Sequence, residues 1–291
     1  MYIIKTFNST MNYIEETLTG KPDGKRIALL SGYSYPLFSR IFSIMVGYSL
    51  NEYIRFRKLS CAAADLRETD GKIIEIAFKY GYESPDSFAA AFKKFHNCTP
   101  TEVRNGKAFR IFPPIRLSLN IEGGKNMEIK IEKKDAFKVA GLKAEGRGED
   151  IFQKTWIELF RKVNFDTLEK LGNGQSYGVC YGFENNIERE CNENVFEYMA
   201  GYDVKNTEKA VGLGLEIIEV PEAEYVVVKL KGPVPDCIHE GWKYVTGVFF
   251  PEQGYRHGGT PDFEVYSEGN MENSDYEMEL WVPVIKVQKA V

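Results

Sequence analysis

The chain has 291 residues, a formal net charge of −5 and 43% hydrophobic residues, which favours two folded domains and excludes a disordered or fibrous protein. No stretch approaches the ~20 apolar residues of a membrane span, and MYIIKTFNST has no long apolar core, so a cytoplasmic protein with no membrane partner is expected. Five scattered cysteines without a C-x-x-C, and three isolated histidines, give no disulfide framework and no metal site, and no cofactor is expected.

In chain order, residues 9–18 read as a first helix capped by Ser9 or Thr10, and Asp23 caps a short helix ending at Gly32. Ser34 caps the next helix, with Pro36 in its opening turn. Phe38, Phe42 and Met45 face inward there, which leaves Tyr35, Leu37, Ser39, Arg40 and Ser43 outward for DNA, with packing on the neighbouring unit as the equal alternative for Tyr35 and Leu37. A central helix follows over Leu50–Glu68, begun by the capping box Ser49–Glu52. On it Arg55, Arg57 and Lys58 lie off the apolar stripe, either on phosphates or on a solvated face.

The stretch Ile74–Phe95 is helix, tight turn, helix: an apolar stripe up to Tyr80, a stop at Gly81, then Ser84-Pro85-Asp86 starting a helix whose Phe88, Phe92 and Phe95 share a face. It repeats the earlier unit. G-Y-x-x-P occurs at Gly32 and Gly81, F-x-x-x-F follows at Phe38/Phe42 and Phe88/Phe92, and a capping box closes each copy at Ser49 and Thr99. A short turn between two helices is the helix-turn-helix layout, whose second helix can enter a major groove. In the second unit Asp86, Ser87 and Ala90 face outward, with Lys93 and Lys94 placed to neutralise phosphates.

GYSYPLFSRIF (Gly32–Phe42), the run Glu52–Phe95 and TPTEVR (Thr99–Arg104) together resemble the DNA-binding domain of the AraC/XylS family of transcriptional regulators. The resemblance implies two helix-turn-helix units on one all-α domain, joined by a central helix and reading successive segments of double-stranded DNA. Ser39-Arg40 in the first unit stands where the second has Ala89-Ala90. Arg is the commonest reader of guanine, so the first recognition helix is expected to carry most of the base readout.

Pro113-Pro114 and Gly123-Gly124-Lys125-Asn126 break the helical pattern. The expected organisation is a head over residues 1–111, a linker over 112–126 and a second domain over 127–291. Charge changes with it: residues 1–116 hold 17 Lys+Arg against 11 Asp+Glu, and the rest 20 against 31. A basic part beside an acidic one fits a nucleic-acid head on another kind of module.

From residue 127 the pattern reads strand, strand, helix (Ile151–Val163), strand, strand, and then the same order again with a helix over Cys237–Phe249, an α+β arrangement. YMAGY (Tyr198–Tyr202), Gly212–Pro221, FFPEQGY (Phe249–Tyr255), PDFEVY (Pro261–Tyr266) and LWVPV (Leu280–Val284) together resemble the GyrI-like effector-binding domain, which also occurs fused to AraC-type heads in Rob-like regulators. That implies two pseudo-symmetric βαββ halves around a groove for small molecules, often lipophilic cations.

Strand alternation places Glu264 with Tyr266, and Glu279 with Trp281, in the groove, with a surface strand position as the alternative for either Glu and core packing as the equal alternative for Trp281; Tyr177, Tyr181, Phe196 and Tyr198 are taken to line the facing half. Carboxylates beside aromatic faces attract a soft cation. The expected protein is therefore not an enzyme but an effector-responsive, DNA-binding regulator, with RNA polymerase as a further candidate partner. Two other readings stay open: a small-molecule hydrolase using water activated by Glu264, and a protein-interaction module.

Overall fold

The computed structural model describes residues 2–117, 127–146, 150–182 and 196–287. Its first part is helical: α1 (Tyr2–Glu16), α2 (Gly24–Ser31), α3 (Tyr35–Val46), α4 (Leu50–Glu68), α5 (Ile73–Lys79), α6 (Pro85–His96) and α7 (Pro100–Arg104). The caps are those the sequence announces. Asp23, Ser34, Ser49, Ser84 and Thr99 each accept from a backbone N–H in the first turn, and Ser49–Glu52 and Thr99–Glu102 close as capping boxes. Helix α1 begins at Tyr2, not near residue 9, because Ile4 and Phe7 have apolar partners to reach.

Helix α4 serves both units. Tyr53 joins Phe7, Met11, Phe38 and Phe42 in the first core. Leu59, Ala62, Ala63 and Leu66 join Ile76, Phe88, Phe92 and Val103 in the second. Its 19 residues make a rod of about 28 Å that fixes the spacing of α3 and α6. Arg57 is a structural residue: its guanidinium donates to Glu15 of α1 at 3.0 and 2.7 Å and to the carbonyl of Phe112. The segment after α7 lies along this face, with Phe112 N–H donating to Ser60 and Leu117 exchanging two hydrogen bonds with Asn8. The glycine-rich part of the expected linker lies outside the described residues.

The second part contains β1 (Ile129–Lys134), β2 (Phe137–Gly146), α8 (Asp150–Lys162), α9 (Phe165–Glu169), β3 (Ser176–Tyr181), β4 (Phe196–Asp203), α10 (Thr207–Gly212), β5 (Glu216–Val220), β6 (Ala223–Lys231), α11 (Asp236–Tyr244), α12 (Phe250–Gln253), β7 (Tyr255–His257), β8 (Asp262–Tyr266) and β9 (Glu277–Lys286), with one π-helical turn (Val245–Phe249) between α11 and α12. The short elements α9, α10 and β7 have no counterpart in the sequence expectation.

The described strands form an antiparallel sheet in the order β1-β6-β9-β8-β3-β4-β2-β5, with β7 added beside β9. That order reads as two halves related by a pseudo-two-fold between β8 and β3. Each half lends its first strand to the other, β1 pairing with β6 and β5 with β2. The sheet curls strongly: Phe137 on β2 reaches Phe263 on β8, ring centroids 5.3 Å apart, although β4 and β3 lie between them. The concave face closes into an aromatic core of Tyr177, Tyr225, Phe263 and Trp281. On the opposite face α8 packs over β2 and β4, and α11 over β6. The central pair β3 and β8 is left between the two helices.

Where β2 and β4 pair, Gly141 faces Gly201, and a Cβ at Gly141 would lie 1.9 Å from the Ala200 carbonyl oxygen. We expect Gly141→Ala to cost about 1–3 kcal/mol or more through backbone displacement, read as an earlier urea-unfolding midpoint.

Candidate functional site

The floor between α8 and α11 is made by alternate residues of the two central strands. Ser176, Gly178 and Cys180 of β3 pair with Tyr266, Glu264 and Asp262 of β8. Gly178 is what makes room there, since a Cβ on it would stand 2.3 Å from Glu264 Oε2 and 2.5 Å from the Tyr198 hydroxyl. Glu264 is 7% exposed. Trp156 Nε1–H of α8 donates to the Tyr198 hydroxyl at 2.9 Å, and Tyr266 O–H donates to Glu264 Oε2 at 3.0 Å. The Tyr198 and Tyr266 hydroxyls both lie close to the Glu264 carboxylate, so Trp156, Tyr198 and Tyr266 gather their polar atoms and aromatic faces around it. Phe152 and Trp156 stand edge-on to Tyr198 and Tyr266.

Burial pushes the Glu264 carboxyl up to about 7; the Arg40 guanidinium opposes this, Asp262 adds to it, and the Tyr266 hydrogen bond opposes it again. Burial lowers His257 and so favours the neutral ring, with a weaker opposing pull from Asp262. Its Nδ1 accepts from Gly259 N–H, which puts the proton on Nε2, 3.4 Å from Asp262 Oδ2.

One occupant of the groove comes from the head. Helix α3 lies against α11. Arg40 donates to Asp262 Oδ1 at 2.5 Å and sits 5.2 Å from the centroid of the Trp242 ring. Burial works against its charge, but the neighbouring acids, Asp262 first, outweigh burial and keep it protonated. The apolar core of α1–α3 runs on without a break into Ala140, Leu159, Cys180 and Tyr198.

This corrects the expected outward face of α3. Leu37, Ser39 and Arg40 are buried, Arg40 at 8% exposure, while Tyr35 and Ser43 are half-buried. The second unit differs: Asp86, Ser87, Ala90, Lys93 and Lys94 of α6 are all exposed.

The groove residues divide similarly. Glu264, Tyr266 and Tyr198 come together. Tyr177 and Tyr181 do not join them, because Gly178, not Tyr177, pairs with Ala200 and shares the face of Tyr198. Glu279 and Trp281 are also on the concave side. Trp281 pairs with Phe263, stacks on it at 5.5 Å, and donates to Glu279 at 2.8 Å. The side chain of Phe196 lies outside the described residues. Trp156, Trp242, Gly178 and Asp262 were not anticipated. Asp262 was within reach of the sequence, two residues before Glu264 on the same strand face. Trp242 carried no local signal.

The profile of the GyrI-like small molecule binding domain matches residues 127–285, and that of a helix-turn-helix domain matches 27–106. Over 104 residues the chain is 40% identical to the HTH-type transcriptional regulator YbfP of Bacillus subtilis, covering 36% of this chain and 35% of that one. Over 94 residues it is 39% identical to the transcriptional regulator Rob of Salmonella typhimurium, covering 31% and 32%. The multiple antibiotic resistance protein MarA of Salmonella typhimurium is 32% identical over 99 residues, covering 34% and 78%. The matches thus span about a third of the length of YbfP and Rob. Among solved structures, SAV2435 bound to tetraphenylphosphonium aligns at a TM-score of 0.44 and 20% identity, over 55% of this chain and 94% of that one. Among the described residues no helix is long and apolar enough to cross a membrane.

A raised carboxyl holds its proton in the fold after the unfolded chain has released it. Ionisation of Glu264 therefore costs stability as pH rises from its ordinary 4.5 through about 7, and costs nothing below that window. Comparing melting temperatures of Glu264→Gln and wild type, we expect the difference to move in the variant's favour between pH 5 and pH 8.

Proposed function

Because the chain belongs to the GyrI-like small-molecule binding family and carries an AraC-type helix-turn-helix head, we propose that it is a transcriptional regulator that binds double-stranded DNA and answers to a small organic cation. The observation that carries this reading is Glu264, a buried carboxylate for which Gly178 leaves room between the two domain halves, walled by Trp156, Tyr198 and Tyr266. A carboxylate in that setting is costly without a counter-charge, and aromatic faces beside it stabilise a delocalised cation by roughly 2 kcal/mol once water is excluded. Neutral molecules of the same shape gain only the apolar part. The reading includes no catalytic step; the carboxylate serves as a counter-charge.

On the DNA side, α6 presents Asp86, Ser87 and Ala90 toward a groove and Lys93 and Lys94 toward phosphates, at the spacing from α3 that α4 sets. Base readout by Arg40 requires α3 to leave its present position.

Isothermal titration of the full chain with tetraphenylphosphonium and a neutral tetraaryl analogue tests the groove. Micromolar binding of the cation, about tenfold or more weaker in Glu264→Gln and absent for the neutral compound, is expected. Affinity should rise with pH toward about 7 and then level, because the cation selects ionised Glu264. Equal binding of charged and neutral compounds would sink the cation reading.

For DNA, Lys93→Ala should weaken all duplexes alike and reduce the slope of log affinity against log salt by about 0.9 for the lost phosphate contact. An unchanged slope in fluorescence anisotropy would remove Lys93 from the interface.

A further inference from the structure

The internal duplication allows α3 and α6 to be compared position by position. With Phe38 aligned to Phe88, Leu37, Arg40, Ile41 and Ile44 fall on Ser87, Ala90, Ala91 and Lys94. These positions recur at i, i+3, i+4 and i+7 and so form one helix face. In α6 that face is small and polar, and Ser87, Ala90 and Lys94 are exposed. In α3 it is apolar around one cation. Leu37, Arg40 and Ile41 are buried, and Ile44 packs on the core of Val226, Trp242 and Phe249. The opposite face of α3, with Phe38 and Phe42, fills the core of its own unit. Helix α3 thus has two buried faces where α6 has one, and the extra face is the one that would meet DNA.

Arg40 meets the groove as a ligand would. Its flat guanidinium lies by the Trp242 indole and against the Asp262 carboxylate, on the same strand face as Glu264. A second tie lies at the rim, where Arg256 of β7 donates to the carbonyl of Gly32 at 3.0 Å. Resting on the cation reading of the groove, we infer that Arg40 is a tethered occupant of the effector site: docked, it withholds α3 from DNA, and a small planar cation that takes its seat releases the helix.

The chemistry sets the kind of competitor. Asp262 and Glu264 stand two residues apart on one strand, so removing Arg40 leaves two buried acids facing one groove. A neutral molecule in the guanidinium's place leaves Asp262 without its counter-charge and leaves Glu264 to keep its proton, whereas a cation answers both acids. An amidinium or guanidinium can pair edge-on with a carboxylate and lie by an indole at the same time, and a tetrahedral ammonium satisfies the charge alone. By linkage, a ligand that excludes docked α3 tightens DNA binding, and DNA tightens the ligand by the same factor.

The test measures DNA affinity of the full chain by fluorescence anisotropy, on a duplex enriched from a random pool, with and without 4-phenylbenzamidine. Asp262→Asn leaves Arg40 without its closest partner when docked but fully hydrated when undocked, so DNA affinity should rise about tenfold. Arg256→Ala removes only the tie at the rim and should raise it about threefold. That direction is diagnostic, since losing a positive charge otherwise weakens DNA binding. The amidine should tighten DNA binding by wild type and add little to Asp262→Asn. Should both variants retain a wild-type thermal transition and wild-type DNA affinity, docking does not withhold α3. An amidine that binds wild type but lowers DNA affinity, or leaves it unchanged, overturns the exclusion while leaving the groove a cation site. If neither the amidine nor tetraphenylphosphonium binds while both variants tighten DNA binding, the docked helix stands and the cation reading falls.

Discussion

A guanidinium taken out of water must be answered, and the contact of Arg40 with Asp262 and Trp242 is where this molecule answers it. The contact joins α3 of the head, α11 of the effector domain and the central strand β8. Around it the two domains share apolar surface continuously, from Phe7 and Phe42 to Tyr198 and Ala200. Such a pair is weak ground for stability, because the cost of dehydrating both ions offsets most of their attraction. Its effect is on specificity of arrangement. Breaking one side of it penalises only the docked form, so the pair biases which surface of α3 is covered.

The groove exists because the sheet is built from two halves that each cover their own outer strands. Helix α8 lies over β2 and β4, α11 over β6, and the joint β3–β8 is left for something else. The curl of the sheet disposes of the other face by turning it into a closed aromatic core. The buried acids Asp262 and Glu264 therefore lie on one side of one pair of strands, where Gly178 leaves space and the Tyr266 hydroxyl donates to Glu264.

The parts of this that the sequence made legible are those governed by local rules. Caps and the paired G-Y-x-x-P units delimited α2 to α7, and Leu50–Glu68 is the helix that its capping box and stripe announced. Alternation placed Glu264 with Tyr266. Alternation could not say which residue of β3 sits opposite which residue of β4, and a shift of one moved Tyr177 and Tyr181 to the far face. The same ignorance of register put Glu279 and Trp281 in the groove. The burial of α3 was visible in outline, since YPLFSRIFSIMV is apolar nearly all round and such a helix is covered on both sides. What covers it is a matter of tertiary docking, which no local pattern encodes.

The pseudo-two-fold has a consequence for stoichiometry. A repeated half, left to itself, would furnish two equivalent seats across the joint between β3 and β8. The pairs at that joint are unequal: glycine faces glutamate, and cysteine faces aspartate. All the negative charge of the floor comes from one half, and the partner half supplies the vacancy that accommodates it. The floor therefore has a single polarity, and on the cation reading proposed above it takes one charged guest per chain. Any cooperativity in the response would have to come from DNA or from association of chains, not from the internal symmetry of the fold.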